Sequence, residues 1–212
     1  MNKTLLGIFV IISLFVATTG EYVEHVEKVN QDYPSMNVGY TYKYSIKIKA
    51  GTSETKYFYT LRIDGVEVLE DHFRISYTIT YEGDKTGQHS DTISVEYGQD
   101  TIDFEEIWFY NTRDYDNIIR DYDSNRLDYY WFGTTPIRAL ILEKNVGNLH
   151  ETITLDESLG VILHLTMTNS THTINYDLVD TNAISKYLGF ITLLGIIIGI
   201  IIMVTIYKEL KK

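Results

Sequence analysis

Residues 40–49 read YTYKYSIKIK, and this stretch decides the fold. Apolar Tyr and Ile residues alternate with Thr, Lys and Ser, which is the period of a β-strand with one buried face. A second alternating run covers 57–63, and the Asp64-Gly65 that follows is typical of a two-residue hairpin turn. Val66 and Val68 follow at even positions, whereas the apolar residues of 73–81 lie at odd positions, and this change of parity predicts a bulge or bend at 69–71. The first half of the chain is therefore predicted to form consecutive antiparallel strands.

The last predicted hairpin can be tested by its register. A two-residue turn at Asn169-Ser170 pairs Leu163 with Tyr176 and Leu165 with Ile174, so that apolar residues oppose apolar residues on one face. The other face is then polar. Leu165 is expected to be buried and Thr166 to face the opposite side of the sheet.

The middle of the chain is less regular. Residues 101–110 (TIDFEEIWFY) fit either a strand or a helix, while 127–133 and 137–143 predict strands on either side of Pro136. The sequence has only two prolines and no internal repeat, which favours one continuous domain. The fold class predicted is mainly β: an antiparallel β-meander forming a curved sheet, half-barrel or sandwich, with a short N-terminal helix and one C-terminal transmembrane helix.

Residues 187–207 read YLGFITLLGIIIGIIIMVTIY, 21 residues without a charge, which is enough for a helix to cross a bilayer. Lysines follow in the tail, 208–212, and a cluster of this kind favours the cytoplasmic side. The sequence therefore predicts a single-pass type I membrane protein of the cell membrane, with an extracellular ectodomain and a cytoplasmic C-terminus.

The N-terminus predicts export. Lys3 precedes the 12 apolar residues from Leu5 to Val16, and small residues follow, which is the layout of a signal peptide over 1–20. An uncleaved signal anchor is the alternative. Residues 21–35 predict a short amphipathic helix with the apolar stripe Tyr22, Val26, Val29 and Tyr33. The β ectodomain then spans 36–180, and a juxtamembrane linker spans 181–186.

The predicted ectodomain is strongly acidic. Of 18 basic residues five lie outside 21–185, and of 29 acidic residues only Glu209 does, which leaves 13 basic and 28 acidic residues and a net charge of −15. Such a charge excludes nucleic acid as a partner and fits either a solvated surface layer or cation binding.

Three kinds of site residue can be proposed from the sequence. Asp121, Asp123 and Asn125 match the first three ligand positions of a calcium loop, but Arg126 and Phe132 exclude an EF-hand, so these are candidates for looser calcium ligation or a solvated acidic loop. Asn169 begins an N-glycosylation sequon at a predicted hairpin tip. Gly195 and Gly199 form a small-xxx-small motif that permits a homodimer through the span.

No catalytic constellation is evident, and no metal or other cofactor is predicted. The six histidines lack the close spacing of a zinc pair, and no nucleophile elbow or phosphate-binding loop is present. The 18 tyrosines lie mostly on strand faces, where they form either ordinary sheet packing or an aromatic concavity able to hold an apolar ligand.

Residues 156–163 (DESLGVIL) and 176–182 (YDLVDTN) are similar to the end of archaeal single-pass surface proteins, which have β-meander ectodomains and in a few cases resemble the lipoprotein-carrier half-barrel. The resemblance implies architecture and little about activity, because that family is largely of unknown function. The lack of a lipid-anchor cysteine and the C-terminal span differ from the bacterial carriers.

The function predicted is a non-enzymatic, membrane-anchored surface protein whose ectodomain acts as an envelope or interaction module. Its partner would be an unknown envelope protein or lipid. The alternative is a tethered carrier or sensor that binds an apolar, lipid-like ligand in the concavity of the sheet.

Overall fold

The computed structural model of the protein describes residues 29, 31–184, 194–198 and 200. The strands are β1 (Thr41–Ala50), β2 (Ser53–Val68), β3 (His72–Gly83), β4 (Gly87–Glu96), β5 (Thr101–Phe104), β6 (Ile107–Tyr110), β7 (Ser124–Phe132), β8 (Thr135–Val146), β9 (Leu149–Asp156), β10 (Ile162–Thr168) and β11 (His172–Thr181). Nine of them form one antiparallel sheet in the order β4-β3-β2-β1-β11-β10-β9-β8-β7. Two meanders, β1–β4 and β7–β11, are joined where β1 pairs with β11. The prediction of a mainly antiparallel β fold is confirmed.

One face of this sheet is covered by the segment that connects the two meanders. Strands β5 and β6 pair with each other as a separate hairpin, and the short helix α1 (Tyr115–Arg120) follows. Side chains of β1, β2 and β3 all contact the hairpin, which means that the sheet curves around it. The covered side is called the inner face, and Tyr42, Tyr44, Ile46, Tyr59 and Leu61 on it are fully buried.

The predicted hairpin turn at Asp64-Gly65 is wrong, because β2 continues through it. The register between β2 and β3 shifts at Ile63/Gly65, so these residues form a β-bulge, and the actual turn lies at 69–71, where Leu69 donates its amide hydrogen to His72. The carboxylate of Asp64 accepts hydrogen bonds from Thr78 (2.5 Å) and Arg62 (2.6 Å), which keeps it beside the sheet. The bulge changes the parity of the buried residues from Ile63 to Val66.

The register predicted for the last hairpin is also wrong, by two residues. Leu165 pairs with Tyr176 and Met167 with Ile174, around a four-residue loop at 169–172. The side-chain oxygen of Asn169 accepts the amide hydrogens of Thr171 (2.9 Å) and His172 (2.8 Å), which stabilises this longer loop. A shift of two preserves which face each residue occupies, so Leu165 is buried as predicted.

The middle of the chain resolves into strands and one helix. Residues 101–110, left open between strand and helix by the sequence, are β5 and β6. The strands predicted around Pro136 are β7 and β8, with Pro136 at the second residue of β8.

The two ends of the chain are described only in part. Val29, Gln31 and Asp32 are helical, whereas most of 21–35 and the whole of 1–20 lie outside the described residues. Across residues 29, 31–184, 194–198 and 200, no helix combines the length and the apolar content that crossing a membrane requires. The predicted span, 187–207, falls mostly outside this set, and within it 194–198 and 200 are helical.

Candidate functional site: a hairpin plug on the inner face

The hairpin of β5 and β6, residues 101–110, lies on the aromatic inner face and is called the plug. Its backbone and tip accept hydrogen bonds from three tyrosines of the sheet. The Tyr59 hydroxyl donates to the carbonyl oxygen of Phe104 (2.6 Å), Tyr57 to Glu106 Oε2 (2.8 Å) and Tyr81 to Glu105 Oε2 (3.1 Å). The aromatic surface that the sequence offers to a ligand is therefore occupied by the protein's own chain.

The apolar residues of the plug pack edge-on against aromatic rings of the sheet. Phe104 lies 5.0 Å from Tyr77 between ring centroids, and Phe109 lies 4.9 Å from Tyr42. Ile102 and Ile107 are also fully buried. Edge-to-face pairs of this kind add about 0.5–1.5 kcal/mol each beyond the area that they bury. The plug is thus part of the hydrophobic core.

The tip of the plug carries two adjacent carboxylates, Glu105 and Glu106. Glu105 has a positive φ of 65°, which the tight turn between Phe104 and Ile107 requires. Its carboxylate contacts His89 Nε2 at 2.5 Å, and Lys85 Nζ contacts Glu106 at 2.5 Å. The Lys85 ammonium also lies 3.7 Å from the centroid of the Tyr81 ring. Tyr57, Tyr81, Lys85, His89, Glu105 and Glu106 are together called the tip cluster.

The other end of the plug is held by backbone contacts. Tyr110 donates its amide hydrogen to the carbonyl oxygen of Gly160 (2.9 Å), in the loop between β9 and β10. Thr112 donates in the same way to Asp32 (2.9 Å), and Tyr33 donates its hydroxyl to the carbonyl oxygen of Gln99. The base of the plug is therefore fixed by two backbone hydrogen bonds and the Tyr33 hydroxyl, and its tip is fixed by side chains.

Burial determines the ionisation of the tyrosines that contact the plug. Desolvation raises the pKa of Tyr59, and nearby Tyr81 and the charges of the tip carboxylates add to the effect. The pKa of Tyr57 is raised first by burial and then by its hydrogen bond to Glu106. These hydroxyls are therefore neutral hydrogen-bond donors at physiological pH, and their role in this arrangement is to position the plug.

The three calcium candidates lie around the start of β7. Asp121 follows α1, and Asn125 lies in β7 opposite Leu142. The carboxylate of Asp123 accepts hydrogen bonds from the backbone amide of Asn145 (2.7 Å) and from its side-chain amide (3.1 Å). Within the described residues no group of three or more His, Asp or Glu side chains is arranged to hold a metal ion. Calcium ligation by the three remains a prediction.

The glycosylation and dimerisation candidates both lie in the last quarter of the chain. Asn169 is exposed in the loop between β10 and β11, and its Oδ1 atom accepts the loop hydrogen bonds while Nδ2, the atom that carries a glycan, takes part in none of those bonds. Gly195 lies in the helical residues 194–198, whereas Gly199 lies outside the described residues. Both predictions remain untested.

The site residues that the sequence did not identify are Glu105, Glu106 and Gly160. A local signal existed for the first two, because Glu-Glu stands between the triplets IDF and IWF, each of which begins and ends with an apolar residue. That pattern is compatible with a two-residue turn, although Asn-Gly or Asp-Gly would be the common choice. No local signal indicates that the resulting hairpin would lie across the sheet instead of joining it.

Comparison with known proteins gives a likeness of fold only. No family model and no curated protein matches the chain. An exported protein with a YmcC-like fold from Bacteroides fragilis matches at a TM-score of 0.47 and 7% identity, over 69% of this chain and 96% of that one. A lipoprotein from Parabacteroides distasonis matches at 0.38 and 8% identity, with the same coverage of 69% and 96%. An outer-membrane lipoprotein-sorting domain from Vibrio parahaemolyticus matches at 0.25 and 10% identity, over 74% and 88%.

These solved structures are an exported protein, a lipoprotein and a lipoprotein-sorting domain. All three TM-scores are below 0.5, so the likeness carries no argument about function.

Proposed function

We propose that this protein is a non-enzymatic, membrane-anchored module of the cell envelope that acts through the outer surfaces of its ectodomain. The observation that carries the proposal is the plug, because the hydroxyls of Tyr57, Tyr59 and Tyr81 all donate to it. An aromatic face bonded to its own chain is a core and offers no preformed ligand site. The anchor in this proposal is the apolar stretch 187–207.

The orientation belongs to the same proposal, with residues 21–185 outside the cell and 208–212 inside. Its support is the lysine cluster that follows the apolar stretch. Protease added to intact cells should remove the ectodomain and leave a small C-terminal fragment. An ectodomain that stays intact until the cells are permeabilised would contradict this orientation.

A second candidate function is a tethered carrier or sensor in which the plug gives way to an apolar ligand. One observation favours it: β5 and β6 pair only with each other among the described strands. Displacing the plug would expose its buried apolar side chains and would break side-chain bonds at its tip and a few backbone bonds at its base, whereas the sheet would keep its own ladder. The surface uncovered would be aromatic, with tyrosine hydroxyls free to bind a polar head group.

One experiment separates the two functions. The chain has no cysteine, so His89→Cys and Glu105→Cys would introduce the only two thiols, at positions whose side chains contact each other. A short bis-maleimide would then lock the plug against β4. Locked and unlocked full-length protein would be extracted from membranes, and bound lipids and neighbouring proteins would be identified by mass spectrometry.

Lipids around the span are common to both samples, so any difference reports on the inner face. If the protein is an envelope module, the locked and unlocked samples should contain the same lipids and the same neighbouring proteins. A lipid that is stoichiometric in the unlocked protein and lost from the locked protein would establish the carrier instead.

A further inference from the structure

The last residues of strand β7 and the turn after it, residues 129–134, form an exposed aromatic surface. This surface is called the aromatic tip. β7 is one of the two outer strands of the sheet. Tyr129 and Trp131 are 67% and 66% exposed, and both lie on one side of the strand because they are two residues apart in β7. From 129 to 137 the chain reads YYWFGTTPI, without a charged residue. An uncharged aromatic tip of this kind is unusual in so acidic a domain.

This tip lies at the end of the domain from which the chain leaves towards 187–207. Asn182 accepts a hydrogen bond from the Thr41 amide (2.8 Å) and donates one to the Gly39 carbonyl (2.9 Å), which fixes the chain at the start of β1. Ala183 and Ile184 then line a cleft together with Pro136 and neighbouring residues of β8. Ile184 is buried. The exit of the chain is therefore built against the β7–β8 hairpin.

The distance to the predicted span is short. Tyr187 is three positions after Ile184, and three fully extended steps of the chain cover at most about 11 Å. The head-group layer on each side of a bilayer is about 5–8 Å thick. If the span begins at Tyr187, the aromatic tip must lie beside the head groups.

The positions of the charged residues at this end of the domain indicate which part of it contacts the lipid. The β2–β3 turn, at the same end of the sheet, carries Glu70 and Asp71. Carboxylates avoid the apolar side of the interface, whereas Trp and Tyr are enriched there because their rings are apolar and their NH or OH groups are polar. Val38, 62% exposed in the segment before β1, is a further apolar side chain near the chain exit.

We infer that the aromatic tip of the β7–β8 hairpin, led by Tyr129 and Trp131, inserts into the interfacial layer of the bilayer that holds the span. The ectodomain is thereby held in one orientation, with Asn169 and the β10–β11 loop directed away from the membrane. Because the ectodomain is acidic, the contact depends on the aromatic rings and not on charge, so it persists at high salt and on zwitterionic lipid. The inference rests on the membrane anchor of the proposed function.

Fluorescence quenching tests this contact in the full-length chain. The protein has two tryptophans, so Trp108→Phe leaves Trp131 as the only one, and Trp131→Phe leaves Trp108 as the matched control. Each variant is reconstituted in phosphatidylcholine vesicles that carry bromine at known depths on the acyl chains. Trp131 should lose most of its emission to bromine near the head groups and little to aqueous acrylamide. Trp108, in the plug, should be unaffected by the brominated lipid.

A second pair of variants avoids any change in the core. Cysteine replaces Thr134 in the β7–β8 turn or Ser170 in the loop at the opposite end of the sheet, and each carries a small fluorophore. Thr134 and Ser170 are both exposed. Brominated lipid should quench the label at 134 and not the label at 170.

The outcomes separate the inference from the proposal on which it rests. Protein that floats with the vesicles while Trp131 and the label at 134 are quenched by acrylamide and not by bromine overturns the inference alone. Shielding from both quenchers would mean that a second copy or another protein covers the tip, and this also overturns it. Protein that does not float with the vesicles overturns the anchor and the inference together.

Discussion

The backbone amide of Tyr110 donates a hydrogen bond of 2.9 Å to the carbonyl oxygen of Gly160. This contact ties the end of the plug to the loop before β10. Gly160 has a φ of 66°, and a Cβ atom added there would collide with the carbonyl group of Tyr110. The loop and the plug can therefore approach this closely only because residue 160 has no side chain.

Gly160→Ala should be strongly destabilising, and Gly147→Ala provides a matched control. Gly147 has nearly the same φ, 61°, but an added Cβ meets nothing within 4 Å. Gly147→Ala should cost about 1–2 kcal/mol, the strain of a left-handed conformation. Gly160→Ala adds a backbone collision and should cost more than about 3 kcal/mol in the free energy of unfolding. Urea unfolding of the two variants checks the difference, and equal losses would contradict the close contact.

Tyr59→Phe tests the hydrogen bond between the sheet and the plug. Tyr59 is fully buried and its hydroxyl donates to the carbonyl oxygen of Phe104 at 2.6 Å. Removing the hydroxyl leaves that buried carbonyl without this donor, which should cost about 1–3 kcal/mol. Tyr129→Phe, at an exposed ring, should change the free energy of unfolding by less than about 0.5 kcal/mol. If Tyr59→Phe left the free energy of unfolding unchanged, the plug would not be held by this hydrogen bond.

Replacing both tip carboxylates should loosen the plug without unfolding the sheet. Glu105→Gln with Glu106→Gln removes the ion pairs to His89 and Lys85. Partly exposed pairs contribute only about 0–1 kcal/mol each, so overall stability should fall little. Hydrogen exchange should become faster in residues 101–110 while β1 and β2 keep their protection. Faster exchange throughout the sheet would show that the plug does not open as a separate unit.

The two faces of β10 should respond differently to a new charge. Leu165 is fully buried on the inner face, whereas Thr166 is half-buried on the other face, where His164 and Asn175 contact its hydroxyl. Leu165→Asp should cost several kcal/mol or prevent folding, because a buried charge without a partner is expensive. Thr166→Asp should cost about 1 kcal/mol or less. Thermal unfolding compares the two, and equal damage would mean that the sheet is covered on both faces.

A carboxyl pair at the base of the plug should make stability depend on pH. Desolvation raises the pKa of Asp100, and a hydrogen bond shared with the carboxyl of Asp114 raises it further. The folded state therefore holds the proton of Asp100 more tightly than the unfolded chain, in which the pKa of this carboxyl is near 3.8. The resulting stabilisation is fully present below that value and is lost as the pH rises through the folded pKa. Above it the two carboxylates repel each other.

Asp100→Asn should accordingly raise the melting temperature at pH 7 and give no gain near pH 3. The control is Asp103→Asn, an exposed aspartate in β5 of the plug. Melting curves of both variants across this pH range provide the measurement. A gain at pH 3 as large as that at pH 7 would exclude proton sharing as the cause.

The sequence by itself determined the elements that depend on local periodicity. The alternation in 40–49 and around Leu165 indicated strands and identified which side chains are buried. Those assignments hold although the last hairpin is shifted by two residues, because strand side chains alternate with a period of two. The acidic charge of residues 21–185 likewise follows from composition alone.

The tertiary structure decided everything that depends on contacts distant in the chain. Asp64-Gly65 is typical of a turn, yet pairing along the whole length of β2 and β3 makes it a bulge. Residues 101–110 carry no local information about the sheet that they cover, since their partners Tyr59 and Gly160 lie more than forty residues away in the sequence. Whether an aromatic face is a ligand site or a core is set by what packs against it. Here that is the protein's own plug, and only the folded chain brings the two together.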